Sequence, residues 1–134
     1  MKLPILIHPD PRLKKVCDPV PDLSDDLRVL AKDMLDTMYH AKGRGLAAPQ
    51  VGQSLRMFVM DARWKEATPT PRIFINPTII RSGEALTETE EGCLSIPEYY
   101  AEVERPAACR VEYIDRNGNK QEIEADGILA TCLQ

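Results

Sequence analysis

Cys93 is the side chain most able to do chemistry here, set in Glu90-Glu91-Gly92-Cys93-Leu94-Ser95-Ile96-Pro97. Two acids lead in, a glycine precedes the thiol and a proline closes the segment. Gly92 lets another group approach closely, and Pro97 pushes Ile96 into an extended shape. The expected product is a short, stiff, extended piece that presents one sulfur at a fixed point, as a ligand or a nucleophile. A lone cysteine is also read as a small buried apolar residue. A second stretch, Gly43-Arg44-Gly45-Leu46-Ala47-Ala48-Pro49-Gln50, ends on an amide able to donate to an oxygen. Its GxG pattern matches a phosphate cradle poorly, because no strand precedes it and no helix follows. The alanines and Pro49 instead imply a tight wall with close backbone approach.

The elements that must carry these stretches read as follows. Five prolines between residues 3 and 23 forbid a long helix and imply an extended arm with one turn around Pro11–Lys15. His8, beside Pro9, reads as a turn residue. Ser24 to His40 is the clearest helix. Ser24 caps it, Asp25 and Asp26 occupy its first turn, and Leu27, Leu30, Ala31, Met34, Leu35 and Met38 form one apolar stripe. That stripe is read as core. His40 suits the C-terminal dipole, and Lys42 with Gly43 supplies the stop. Residues 43–52 then form a loop. Met57–Asp61 reads as a buried strand, and Ala62–Arg72 as an exposed, mobile polar loop with Trp64 packed as a lid.

Ile73–Ile80 is a strand pair, or one strand bent at Asn76-Pro77, with proline marking an edge or a break. Arg81–Glu90 is an acidic polar stretch with a turn at Ser82-Gly83. Tyr99–Pro106 alternates polar and apolar residues. Cys109–Asp115 and Lys120–Ala125 flank Asn117-Gly118, the strongest short hairpin signal. Cys109 alternates with Val111 and Tyr113 and is read as core. Asp126–Gln134 begins a second helix, with Ile128, Leu129, Cys132 and Leu133 on one side. Nine residues make a marginal helix, so the apolar pattern is expected to continue past Gln134.

Composition bounds the function classes. The chain has 134 residues, 43% hydrophobic and 28% charged, with a net charge of −4. That implies one domain, 1–134, and argues against a nucleic-acid or anionic-membrane partner. The start of the chain is too short in apolar residues and too broken by proline for a signal peptide. A cytoplasmic location is the expectation. Cys17, Cys93, Cys109 and Cys132 are spread without a CxxC pair and are read as reduced thiols. The two histidines, His8 and His40, have no metal-site spacing to each other or to a cysteine.

GxGLAAPQ followed by EGCLSIP resembles the peptide deformylases, and the similarity runs from Leu3 to the last residue. The resemblance implies an α+β fold: short mixed or antiparallel sheets packed around a C-terminal helix, cut short here, with one N-terminal helix. It implies a hydrolase that removes the formyl group from N-formylmethionyl peptides of nascent proteins, in chains held at the ribosome. In that family a third motif, Q-H-E-x-D-H, places two histidines on one helical face, and they join the cysteine in holding a divalent metal. Ferrous iron is usual, with zinc, nickel or cobalt as substitutes. Cys93 is then one ligand, and Gln134 matches the first letter of the third motif. The Leu94 N–H and the Gln50 amide are the implied oxyanion donors. The peptide lies extended beside Gly45, with its methionine in a pocket matching Arg44, Thr89, Glu91, Ile128, Thr131 and Cys132. Arg44 stands where a small aliphatic residue is common. Tyr100 falls at a substrate-contacting position, and Glu91 is expected to pair with Arg105.

Three readings stay open. The 134 residues are an incomplete form of an ordinary deformylase, or an inactive deformylase-like protein that binds peptides or a partner, or a cysteine hydrolase with Cys93 as nucleophile and His8 or His40 as base. With one thiolate and no further ligand, the chain is expected to bind metal poorly and to deformylate negligibly.

Overall fold

The computed structural model describes residues 3–7, 9–21, 24–62, 64–65, 69–82 and 86–126. Helix α1 (Asp25–His40) starts where a hydroxyl meets an orphan donor: Ser24 Oγ accepts the Leu27 N–H at 3.1 Å. Its stripe of Leu27, Ala31, Met34 and Met38 is buried, and truncating a buried methionine such as Met34 to alanine costs about 2–5 kcal/mol. The helix ends in a Schellman motif. The Lys42 N–H bonds the Tyr39 carbonyl at 3.1 Å and the Gly43 N–H bonds the Met38 carbonyl at 2.9 Å. Lys42, rather than the glycine, takes the left-handed φ of 60°. Gly43 answers a different need, because a Cβ there would come within 2.7 Å of Leu94 Cδ1.

Five antiparallel strands form the main sheet: β1 (Gly45–Ala47), β2 (Met57–Met60), β3 (Arg72–Ser82), β6 (Ala108–Ile114) and β7 (Lys120–Asp126), in the order β1-β2-β3-β6-β7. The pleat sorts their side chains. Met57, Val59 and Ile75 join the α1 stripe in one core cluster. Met60, Phe74, Cys109, Val111 and Ala125 form a second, with Phe58 and Tyr113 against it. Phe58 stacks on Phe74 at 4.7 Å, and Phe74 meets Tyr113 at 4.2 Å. Cys109 is therefore core, as its phase implies, and burial pushes its thiol up. A separate two-stranded sheet pairs β4 (Leu86–Cys93) with β5 (Ile96–Pro106). Together with α1 this is an α+β fold.

Three expectations need correction. Residues 43–52 are not all loop: β1 leads into a 3₁₀ turn at Ala48–Val51 that closes on Gly52 at φ 86°. Three strand residues are too few to show a period. Residues 86–90 are strand, because Thr87-Glu88-Thr89-Glu90 places a β-branched residue at every second position despite its polarity. The cysteine segment is not one extended piece either: Cys93 pairs with Ile96 and the chain reverses at Leu94-Ser95, so the thiol stands at a hairpin tip.

β3 runs as one strand through Asn76-Pro77, with a register shift between Ile75 and Thr78 and Asn76 at φ 51°. The bulge is what admits a proline to an interior strand. Asn76 also ties down the arm: its Oδ1 accepts the Val20 N–H at 2.7 Å and its Nδ2 donates to the Val20 carbonyl at 2.9 Å. Among its described residues the arm forms a 3₁₀ turn at Pro11–Lys14, preceded by a tight turn closed by the Asp10 N–H on the Ile7 carbonyl at 3.0 Å. The β6–β7 hairpin turns at Asn117-Gly118 as expected, with Gly118 at φ 84°. In the 62–72 connection, Ala62 is buried and Trp64 half-buried. His8, Gly83 and everything after Asp126 lie outside the described residues, and with them the expected second helix.

Candidate active site

The β4–β5 hairpin tip meets both ends of the segment that follows α1. At the near end Leu94 packs against the bare α-carbon of Gly43. At the far end Gln50 Nε2 donates to Ser95 Oγ at 3.1 Å and to Cys93 Sγ at 3.7 Å. The amide is aimed by its other end, where Gln50 Oε1 accepts the Ala47 N–H at 3.0 Å. The two motifs, 43 positions apart at Gln50 and Cys93, thus close on one point.

Cys93 is exposed, Gln50 half-buried, and Ser95 buried at 3% exposure. Among the described residues Gln50 is the hydrogen-bond partner of the sulfur. His8, one of the two imidazoles weighed as a base for the nucleophile reading, is not among them. Nor do three His, Cys, Asp or Glu side chains converge to hold a metal among the described residues. Cys17, Cys93 and Cys109 carry no disulfide. Ser95 escaped sequence reasoning: a serine two places after the cysteine gives no sign that its hydroxyl will be a buried acceptor.

Two strands hold the tip still. Arg105 Nε donates to Glu91 Oε2 at 2.7 Å and Nη2 to Oε1 at 2.9 Å, a two-pronged pair across β4 and β5. The Glu91 hydrogen bond holds the Arg105 guanidinium above its ordinary range. Thr89 pairs with Val103 and Tyr100 with Gly92, one residue from the thiol. Their backbones are described, their side chains are not. Ile128, Thr131 and Cys132 lie outside the described residues.

β1 is the edge strand on this side of the sheet. The Asp61 N–H donates to the Arg44 carbonyl at 2.9 Å, which makes Arg44–Asp61 a bonded pair continuous with Gly45↔Met60 and Leu46↔Val59. Bonded pairs alternate in an antiparallel ladder, so Gly45 and Ala47 turn their N–H and C=O groups away from β2. The Ala47 N–H accordingly finds Gln50 instead of a strand. Gly45 is exposed, and a Cβ there would meet only ordinary contacts, the nearest Val59 O at 3.7 Å. Arg44 Nη1 reaches across to the Ala62 carbonyl at 2.5 Å.

A polar cluster braces the start of β1. Tyr39 Oη donates to Asp61 Oδ2 at 2.7 Å, and the Thr70 N–H donates to the same oxygen at 2.7 Å. Burial first, then the bond to Asp61, pushes the Tyr39 phenol well above its ordinary value. Trp64 sits edge-on to Tyr39 at 5.2 Å, and its Nε1 donates to the Gly43 carbonyl at 2.8 Å.

Comparison with known proteins places this arrangement. The family model described as polypeptide deformylase matches residues 2–134. A peptide deformylase of Mesorhizobium japonicum is 58% identical over 131 residues, 98% of this chain and 74% of the relative. The crystal structure of a peptide deformylase from Legionella pneumophila superposes with a TM-score of 0.94 at 43% identity, over 100% of this chain and 78% of that one. A peptide deformylase from Synechococcus elongatus, solved in complex with actinonin, gives 0.92 at 42% identity, over 98% and 70%. The chain belongs to the polypeptide deformylase family, metalloenzymes that act on formylated nascent peptides.

Proposed function

We propose that this chain removes the formyl group from formylmethionyl peptides, and that its 134 residues supply the peptide edge, the oxyanion donors and one metal ligand. The observation that carries this reading is the meeting of the Gln50 amide with Cys93 and Ser95 at the tip that also carries Leu94. A formyl oxygen seated there meets two donors. As that oxygen gains charge, both bonds strengthen, and removing one such donor costs about 3–4 kcal/mol of barrier in comparable sites.

Cys93 fits the part of a metal ligand: an exposed thiol on a hairpin stiffened by Glu91–Arg105, with an amide N–H on the sulfur. Ferrous iron is the metal of this reading, and zinc, nickel or cobalt substitute. A divalent metal held there supplies a water acidified toward neutral pH. Among the described residues no ligand set is complete, and Cys93 is the one ligand this reading takes from them.

The outward N–H and C=O of Gly45 take the peptide as an added strand, and the bare α-carbon lets that backbone come close. In this reading Arg44, Thr89, Glu91, Ile128, Thr131 and Cys132 line the methionine pocket, and Tyr100 contacts the substrate. The substrates are nascent chains at the ribosome, in the cytoplasm. No helix among the described residues is long and apolar enough to cross a membrane.

Metal content and formate release from formyl-Met-Ala-Ser, measured on one sample of verified mass, test the assignment. The 134-residue polypeptide is expected to retain well under one equivalent of iron or zinc and to turn over negligibly. Adding two histidines and a glutamate in Q-H-E-x-D-H spacing from Gln134 should raise both, and Cys93→Ser should then abolish both. Full metal occupancy in the 134 residues would refute the single-ligand reading. No turnover after the addition would refute the function.

A further inference from the structure

The connection after β2 grips the start of β1 from outside the two motifs. Trp64 Nε1 holds the Gly43 carbonyl at 2.8 Å, and Arg44 Nη1 holds the Ala62 carbonyl at 2.5 Å. The backbone is pinned again on either side by Gly43 N–H to Met38 and by Asp61 N–H to Arg44, both at 2.9 Å. Gly43 in turn abuts Leu94: a Cβ built on Gly43 would lie 2.7 Å from Leu94 Cδ1, so the Leu94 side chain covers the bare α-carbon. The Trp64 ring is itself oriented, edge-on to Tyr39, whose hydroxyl is anchored on buried Asp61.

From this chain of contacts we infer that Trp64 is a positioning residue that sets Gly43, and through it both the Gly45 peptide edge and the Leu94 N–H. The inference rests on the reading of β1 and the hairpin tip given above. Trp64 touches no reacting atom; it fixes where two binding groups stand relative to each other. The one link carries both, because Gly43 lies between the helix end, the first strand and the tip. Its donor is a single indole N–H; the ring itself meets Tyr39 edge-on and has Lys65 Nζ 5.8 Å from its centroid.

Trp64 is the only tryptophan of the chain, so one indole resonance in a ¹H–¹⁵N spectrum of the 134-residue protein reports on it directly. On titration with formyl-Met-Ala-Ser, the Gly45 and Leu94 amides and the indole N–H should shift with one midpoint. Trp64→Phe keeps a ring against Tyr39 and removes the donor. It should displace the free-state Leu94 amide and weaken peptide binding about fivefold, the scale of one lost hydrogen bond. A Gly45 shift beside a stationary wild-type indole overturns the role of Trp64 and leaves the β1 reading standing. Unchanged Leu94 and affinity in folded Trp64→Phe do the same. A Gly45 amide that stays put at saturating peptide sinks both.

Discussion

Lys42 and Gly43 divide between them what one glycine commonly does at a helix end. Lys42 bears the left-handed backbone, a conformation that costs an L-residue about 1–2 kcal/mol. Lys42→Gly should therefore stabilise the fold by about 1 kcal/mol, read as a raised urea midpoint at unchanged slope. Gly43→Ala should do the reverse by about 1–3 kcal/mol, because the new methyl is driven into Leu94. An unchanged midpoint in either variant would count against this division. Cys93 and Gln50 were legible in the sequence because their neighbours form recognisable motifs. Asn76, Asp61 and Ser95 were not, since each acts through a partner that only folding brings near: Val20, Tyr39 and Gln50 respectively.

Among the elements, the strands of the β6–β7 hairpin were readable to within a residue, because Asn117-Gly118 separates two runs of clear alternation. What could not be read is how the turn is held. Asp115 Oδ1 accepts the N–H groups of Asn119 at 3.0 Å and Asn117 at 2.9 Å. The Asn119 bond leads in lowering the carboxyl below its ordinary value. A carboxyl depressed on folding stabilises the turn above the ordinary value, near 3.9, and that contribution fades as pH falls through the lower folded value. The Asn117 and Asn119 amide resonances should stay fixed down to about pH 4 and titrate together only below it. Titration at or above the ordinary value would contradict the lowering. β4 was misread for the opposite reason: alternation was present, but every member of it was polar. α1 shows each signal at once, cap, stripe and stop, and was placed to within a residue.

At the scale of the whole molecule, the proline-rich arm is held to the sheet by a side chain imitating a strand. Both amide atoms of Asn76 bond the backbone of Val20, itself buried at 7% exposure. Asn76→Ala should cost about 1–3 kcal/mol and speed protease cleavage in the arm while the β6–β7 amides keep their protection. Arm cleavage at the wild-type rate would show that other contacts hold it. The overall class came from the family motifs; periodicity alone gave a helix, strands and a hairpin without their order in space. That order is where the exposed rim of β1 matters. In the proposed binding mode a clasp made from main-chain atoms cannot spell: it would hold any polypeptide alike, whatever letters follow the first. Three residues long, it would let go readily, leaving selectivity to what is seated at the tip and not to the grip along the rim.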